Sequence, residues 1–251
     1  MPTADNVQVD TPHGPMQAHL VQADAAAASG RAVLVLHEAF GLNDDIRGIA
    51  RRFAEHGYVA LAPDLYSVGP PKPICIMQTI RSLDSGGGRV FDSLDAARGW
   101  LAERDDVDAD RIAVAGFCMG GSFAILHAVR AEYSAAAPYY ARVPKTAAEL
   151  EGICPVVAGF GARDRLVPDQ AGHLRQHLNT LSVANDIVEY AEVGHSFMNH
   201  AEGRIARTMI RLSRASGAVI GYDHHASEDS WQRMLAFFDR HLGGTFQPTE
   251  A

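Results

Sequence analysis

Short unbroken apolar runs alternate with stretches of helical spacing along most of the chain. The first segment, "VQVDTPHGPMQAHLVQA" (7–23), alternates apolar and polar residues around Pro12-His13-Gly14 and predicts a β-hairpin. Continuous runs of β-branched and aliphatic residues at 32–37, 58–63, 111–117, 135–140, 154–160 and 185–191 read as short strands, most of them buried on both faces. Between them, Ile46, Ile49, Ala50, Phe53 and Ala54 recur at helical spacing until Gly57 stops the helix. Further helices are predicted over 90–104, after Cys118, over 169–181 and over 228–242. Strands alternating with helices imply an α/β fold with a mostly parallel central sheet and helices on both faces. No repeat, low-complexity tract or linker interrupts this order, so residues 1–251 are expected to form a single domain. The irregular part is an insert around 67–88, with prolines at 70, 71 and 73 and glycines at 86–88. Such an insert suits either a substrate-contacting lid or a plain surface excursion.

Composition narrows the function classes. With 22 basic and 30 acidic residues the net charge is −8, which repels polyanions and argues against nucleic acid or an anionic membrane as partner. Three cysteines, Cys75, Cys118 and Cys154, are an odd number without C-x-x-C spacing, which argues against a disulfide framework and a structural zinc site. The start of the chain has neither a basic nor an apolar leader region, and no run approaches the roughly 20 apolar residues of a membrane span. A cytoplasmic location is the expectation.

The chemistry centres on "AVAGFCMGGSFAIL" from residue 113. Gly116-Phe117-Cys118-Met119-Gly120 lies between a predicted strand and a predicted helix. It has the form of a nucleophile elbow, G-x-S-x-G, with sulfur in place of oxygen. Glycines two residues to each side remove Cβ clashes at such a turn, and the helix N-terminus directs its amide dipoles at the sulfur. A thiolate nucleophile needs a base, and the base needs an orienting carboxylate. Asp164 follows the strand at 154–160, 46 residues after Cys118, and His195 follows the next strand, 31 residues further on. Order and sheet edge agree with an acid-then-histidine arrangement. His200 is the rival for the base, and Asp64 reads as a loop carboxylate holding backbone amides.

These motifs, with "HEAFGLN" (37–43), "APDLY" (62–66), "PYY" (138–140), "GARDRLVP" (161–168) and "GHSF" (194–197), resemble the dienelactone hydrolase family of the α/β-hydrolase superfamily over roughly residues 10–242. The resemblance implies an α/β-hydrolase fold and Cys118 as nucleophile, His195 as base and Asp164 as its orienter. It also implies that Glu38 lies beside the resting thiol and moves when substrate binds. The oxyanion hole would be the backbone N–H groups of Met119 and Ala39. Candidates for substrate contact are Phe40, Arg81, Tyr139, Phe197 and Asn199.

The implied reaction is acyl transfer from an ester or enol lactone to Cys118, then to water, with no metal or other cofactor. Its partner is a small-molecule ester or lactone; oligomeric state is not legible. One departure stands out. The family's enzymes grip a substrate carboxylate with arginines, one of them four residues past the catalytic histidine, where this chain has Asn199. Arg81 and Arg142 are the nearest candidates for such a clamp. A neutral amide cannot supply a charged fork, which leaves a promiscuous carboxylesterase or thioesterase for uncharged substrates as the alternative. A non-catalytic thiol-sensing binding protein is the reading from another class; an intact histidine and aspartate in this order argue against it.

Overall fold

The computed structural model describes residues 1–24, 28–69, 77–79, 81–83, 86–200, 208, 210–211 and 217–243. Cys75 and most of the irregular insert lie outside the described residues, as does much of the connection between 201 and 216.

Eight strands form one sheet: β1 (Thr3–Thr11), β2 (Gly14–Gln22), β3 (Arg31–Leu36), β4 (Tyr58–Pro63), β5 (Ile112–Phe117), β6 (Ala135–Tyr139), β7 (Val156–Gly161) and β8 (Asn185–Tyr190). Their spatial order is β1-β2-β4-β3-β5-β6-β7-β8. The hairpin strands β1 and β2 are antiparallel to each other, and β2 is antiparallel to β4. Every other neighbouring pair is parallel. This is the sheet of the α/β-hydrolase fold.

Among the described residues five longer helices cover it: α1 (Asp44–Glu55), α2 (Arg89–Ala102), α3 (Met119–Arg130), α4 (Gln170–Thr180) and α5 (His224–His241). Strands β3 to β7 are buried at every residue, which is why their sequences run apolar without alternation. Successive side chains still take opposite faces. Leu34 and Leu36 join a core with Phe91, Leu94, Phe123 and Leu174 of α2, α3 and α4. Val33 and Val35 join the other core with Ile46, Phe53, Trp231 and Phe238 of α1 and α5. Among the described residues no helix is long and apolar enough to cross a membrane.

The last helix begins four residues earlier than the periodicity predicts, because Asp223 caps it by accepting from Ala226 N. His224 and His225 therefore lie in its first turn. Asp64 holds a backbone amide, as expected, accepting from Tyr66 N at 3.0 Å. His127 is fully buried between the Tyr133 hydroxyl and the Asp95 carboxylate, at 2.8 Å from each.

All the parallel strands deliver their carboxyl ends to one edge, and the tightest fit there concerns glycine. A Cβ on Gly120 would sit 2.3 Å from the Leu36 carbonyl oxygen. Gly120→Ala is expected to destabilise the protein by about 3 kcal/mol or more in urea denaturation. Gly99→Ala in α2, where an added Cβ meets nothing within 4 Å, is expected to gain about 0.5–1 kcal/mol instead.

Candidate active site

Cys118 occupies the single residue between β5 and α3, with φ 55° and ψ −115°. A non-glycine residue in this region is strained, and the surroundings hold it there. Its N–H donates to the Tyr139 carbonyl at 3.1 Å, and its carbonyl accepts the Ser122 N–H of the first helical turn. The flanking glycines make the turn possible. A Cβ on Gly116 would lie 2.1 Å from the Gly120 carbonyl oxygen. With neither Cβ present, the helix N-terminus settles directly on the ends of β3 and β5.

Asp164 and His195 reach the same edge from the loops after β7 and β8. Asp164 is buried, and its Oδ1 accepts from Leu166 N at 2.8 Å and Val167 N at 3.2 Å. Its Oδ2 accepts from His195 Nδ1 at 2.6 Å. The histidine backbone is pinned in turn: His195 N donates to Val219 O, and Gly221 N donates to His195 O. Gly194 permits that close passage, since a Cβ there would meet Val219 O at 1.8 Å. His195 Nε2 is buried with no hydrogen-bond partner among the described residues. Burial alone would depress the imidazole pKa; the Asp164 hydrogen bond and the Cys118 sulfur outweigh it and push the group up to about 10.

Glu38 follows β3 in a loop braced from below. Its carbonyl accepts from His37 Nδ1 at 2.6 Å and from Gly41 N. His37 Nε2 accepts from Leu65 N, which sets the ring's tautomer, and Tyr66 donates its hydroxyl to Ala39 O. The Glu38 carboxylate is buried and accepts the Ser196 hydroxyl at 2.7 Å. Burial pushes its pKa up to about 7, against the opposing influence of Ser196 and His195. Neither the Ala39 N–H nor the Met119 N–H has an acceptor among the described residues.

A cavity of about 180 Å³ joins these groups, with Glu38, Cys118 and His195 on its wall. Ala39, Phe40, Leu166, Ile210 and Ile220 make it largely apolar. Asn199 also borders it, but as a buried bridge: its Nδ2 donates to Asp45 at 2.6 Å, and its Oδ1 accepts the Tyr140 hydroxyl. The other sequence candidates stand elsewhere. Arg81 is exposed and does not border this cavity. Tyr139 is fully buried, its hydroxyl donating to Ser230 O, and Phe197 packs edge-on against Tyr139, Tyr140 and Tyr190 behind the site.

It is Tyr140, with φ 39°, whose ring meets His195 at 5.2 Å. His200 sits exposed on the rim, stacked on Tyr222 at 3.9 Å, and does not take the Asp164 hydrogen bond. A larger, more open groove of about 660 Å³, bordered by Ser122, Arg142 and Lys145, contains none of Cys118, Asp164 or His195. Among the described residues no three His, Cys, Asp or Glu side chains cluster as a metal centre would require.

Sequence reasoning missed Ser196, Tyr140, Asp45 and His37. His37, Ser196 and Tyr140 carried some signal, since they lie in the motifs "HEAFGLN", "GHSF" and "PYY". Asp45 looks in sequence like an ordinary acid in a first helical turn.

A model of the dienelactone hydrolase family matches residues 16–242. A Salmonella typhimurium protein described as "Putative carboxymethylenebutenolidase" is 30% identical over 244 residues, covering 91% of this chain and 84% of its own length. The carboxymethylenebutenolidase of Rhodococcus opacus is 27% identical over 240 residues, covering 88% of this chain and 86% of its own. Among solved structures, a dienelactone hydrolase-like promiscuous phosphotriesterase from metagenomic libraries is similar at a TM-score of 0.78 and 25% identity. That likeness covers 96% of this chain and 98% of the other.

The electrostatics predict two outcomes. A carboxyl whose folded pKa lies above its unfolded value contributes stability at low pH that is lost as pH rises through the folded value. Glu38→Gln, which keeps an acceptor for Ser196 but cannot ionise, should match wild type near pH 4 and exceed it by about 3 kcal/mol near pH 8.5 in urea denaturation. Asp164→Asn should lower the His195 pKa from about 10, read from the imidazole resonances in an NMR titration.

Proposed function

Because the chain belongs to the dienelactone hydrolase family, and is thereby a carboxylic ester hydrolase, we propose that it cleaves esters or enol lactones through Cys118, His195 and Asp164. One observation carries the reading. His195 is held by Asp164 on one nitrogen and is buried without a partner on the other, on the wall of the cavity that Cys118 enters from its strained turn.

In the proposed reaction His195, its pKa pushed up to about 10, is the imidazolium, and Cys118 attacks as the thiolate. The thiolate attacks the carbonyl carbon, and the C=O electron pair moves onto oxygen between the Ala39 and Met119 N–H groups. Collapse re-forms the C=O and breaks the bond to the leaving oxygen, which takes the proton from His195 Nε2. A thioester on Cys118 remains. Water then adds to the thioester as His195 takes one of its protons, and the second collapse expels the thiolate and the acid. For a lactone, acid and alcohol leave as one molecule.

A thiolate is itself a good leaving group, so the first intermediate partitions forward only when the departing oxygen is also stabilised. Enol lactones and activated esters satisfy this better than alkyl esters. Glu38 sits where a second anion beside the thiolate is costly, and its bond to Ser196 gives the carboxylate an alternative to the sulfur. Cys118 and Cys154 are free thiols, and a reducing compartment such as the cytoplasm keeps such a nucleophile active.

The decisive experiment is trapping. Wild type mixed with p-nitrophenyl acetate should release a burst of nitrophenolate and carry one acetyl group on the peptide containing Cys118, located by mass spectrometry. Cys118→Ala should lose the burst, the adduct and turnover together; undiminished turnover in that variant would overturn the reading. Removing an oxyanion donor cannot be tested by side-chain substitution, but losing the imidazole in His195→Ala should cost about 10³-fold or more in kcat/KM.

A further inference from the structure

Resting on the hydrolase reading of this same site, we propose that the cavity selects compact, uncharged lactones or acyl groups. A substrate carboxylate beside the scissile bond is turned away. The walls supply the first reason. Phe40, Leu166, Ile210 and Ile220 offer hydrocarbon, and among the described lining residues there is no lysine or arginine. A carboxylate brought in from water would exchange its hydration for apolar contact, and the charged imidazole among the described lining residues, His195, is already paired with Asp164.

The second reason is that the polar groups around the cavity are already committed. The Asn199 amide donates to Asp45 and its carbonyl accepts from Tyr140. The Ser196 hydroxyl donates to Glu38. His195 is taken by Asp164 on one nitrogen and needed for proton transfer on the other.

The third reason is that this environment already contains a carboxyl group that reports on it. Glu38 is buried in the same wall, and burial raises its pKa to about 7 despite a hydroxyl donor and a neighbouring imidazole. A site that penalises its own carboxylate to that degree penalises a second one more, since the two would also repel each other. Size adds a limit. At about 180 Å³ the cavity is only slightly larger than one of about 150 Å³ that accommodates benzene, which suits a single lactone ring or a short acyl chain.

The test compares carboxymethylenebutenolide with its own methyl ester. The two share one ring and one scissile enol-ester bond, and differ by a single negative charge. Ring opening is followed by loss of the ring absorbance, with mass spectrometry to separate it from loss of the methyl group. The methyl ester should be opened with a kcat/KM about 30-fold or more above that of the free carboxylate near neutral pH. A preference below about tenfold, or a preference for the carboxylate, overturns the inference while leaving the hydrolase reading intact.

A Cys118→Ala control separates the two claims. Ring opening that survives in it, or the absence of ring opening for both compounds in wild type, defeats the hydrolase reading itself. Leu166 is 58% exposed on the rim, so Leu166→Arg adds a cation there without disturbing the core. It should shift the ratio toward the free carboxylate by about tenfold, and an unchanged ratio in the folded variant would count against the wall as the discriminating element.

Discussion

The site depends on how closely one helix can approach two strands. The N-terminus of α3 rests against the ends of β3 and β5 at distances that no Cβ on Gly116 or Gly120 could share. That contact forces Cys118 into its positive-φ conformation and lifts the thiol off the sheet edge. It also brings the first turn of α3 against the Leu36 and His37 carbonyls, in the chain just before Ala39. The proposed nucleophile and the start of α3 are therefore placed by one steric constraint, and the strain at Cys118 is held by the packing of the helix onto the core.

Around that fixed point, two buried carboxyl groups meet different surroundings. Asp164 accepts two backbone N–H groups and the imidazole, so its charge is well compensated. Glu38 has a hydroxyl donor and otherwise faces an apolar cavity, and burial dominates its titration. One acid thus steadies a cation on His195, while the other is a charge the site tolerates poorly. Chemically identical groups acquire different roles because the backbone is presented to one and hydrocarbon to the other.

Much of this was legible before any coordinates. The apolar runs marked the buried parallel strands because a strand covered on both faces has no solvated side on which to place polar residues. Cys118, Asp164 and His195 could be read because each follows such a run, and parallel strands end at one edge. Tyr139 and Tyr140 show the limit of that logic. Tyr139 ends its strand and Tyr140 follows it directly, and sequence gives no reason to prefer the second; a positive φ at Tyr140 turns its ring to His195 while Tyr139 points into the core. Asn199 was recognised by its position, but its engagement by Asp45 and Tyr140 spans residues 154 and 59 positions away, which no local pattern encodes.

What the chain determined by itself was the alternation of strands and helices, the glycine-flanked cysteine, and the order of acid and histidine along it. These follow from periodicity, steric size and connectivity, all of which are local or one-dimensional. Only the tertiary structure decided which side chains line the cavity, what each polar group is bonded to, and how far the charges of Glu38 and His195 are displaced from their usual titration. Those properties arise from burial and from partners distant in sequence, and they exist only once the loops meet above the sheet.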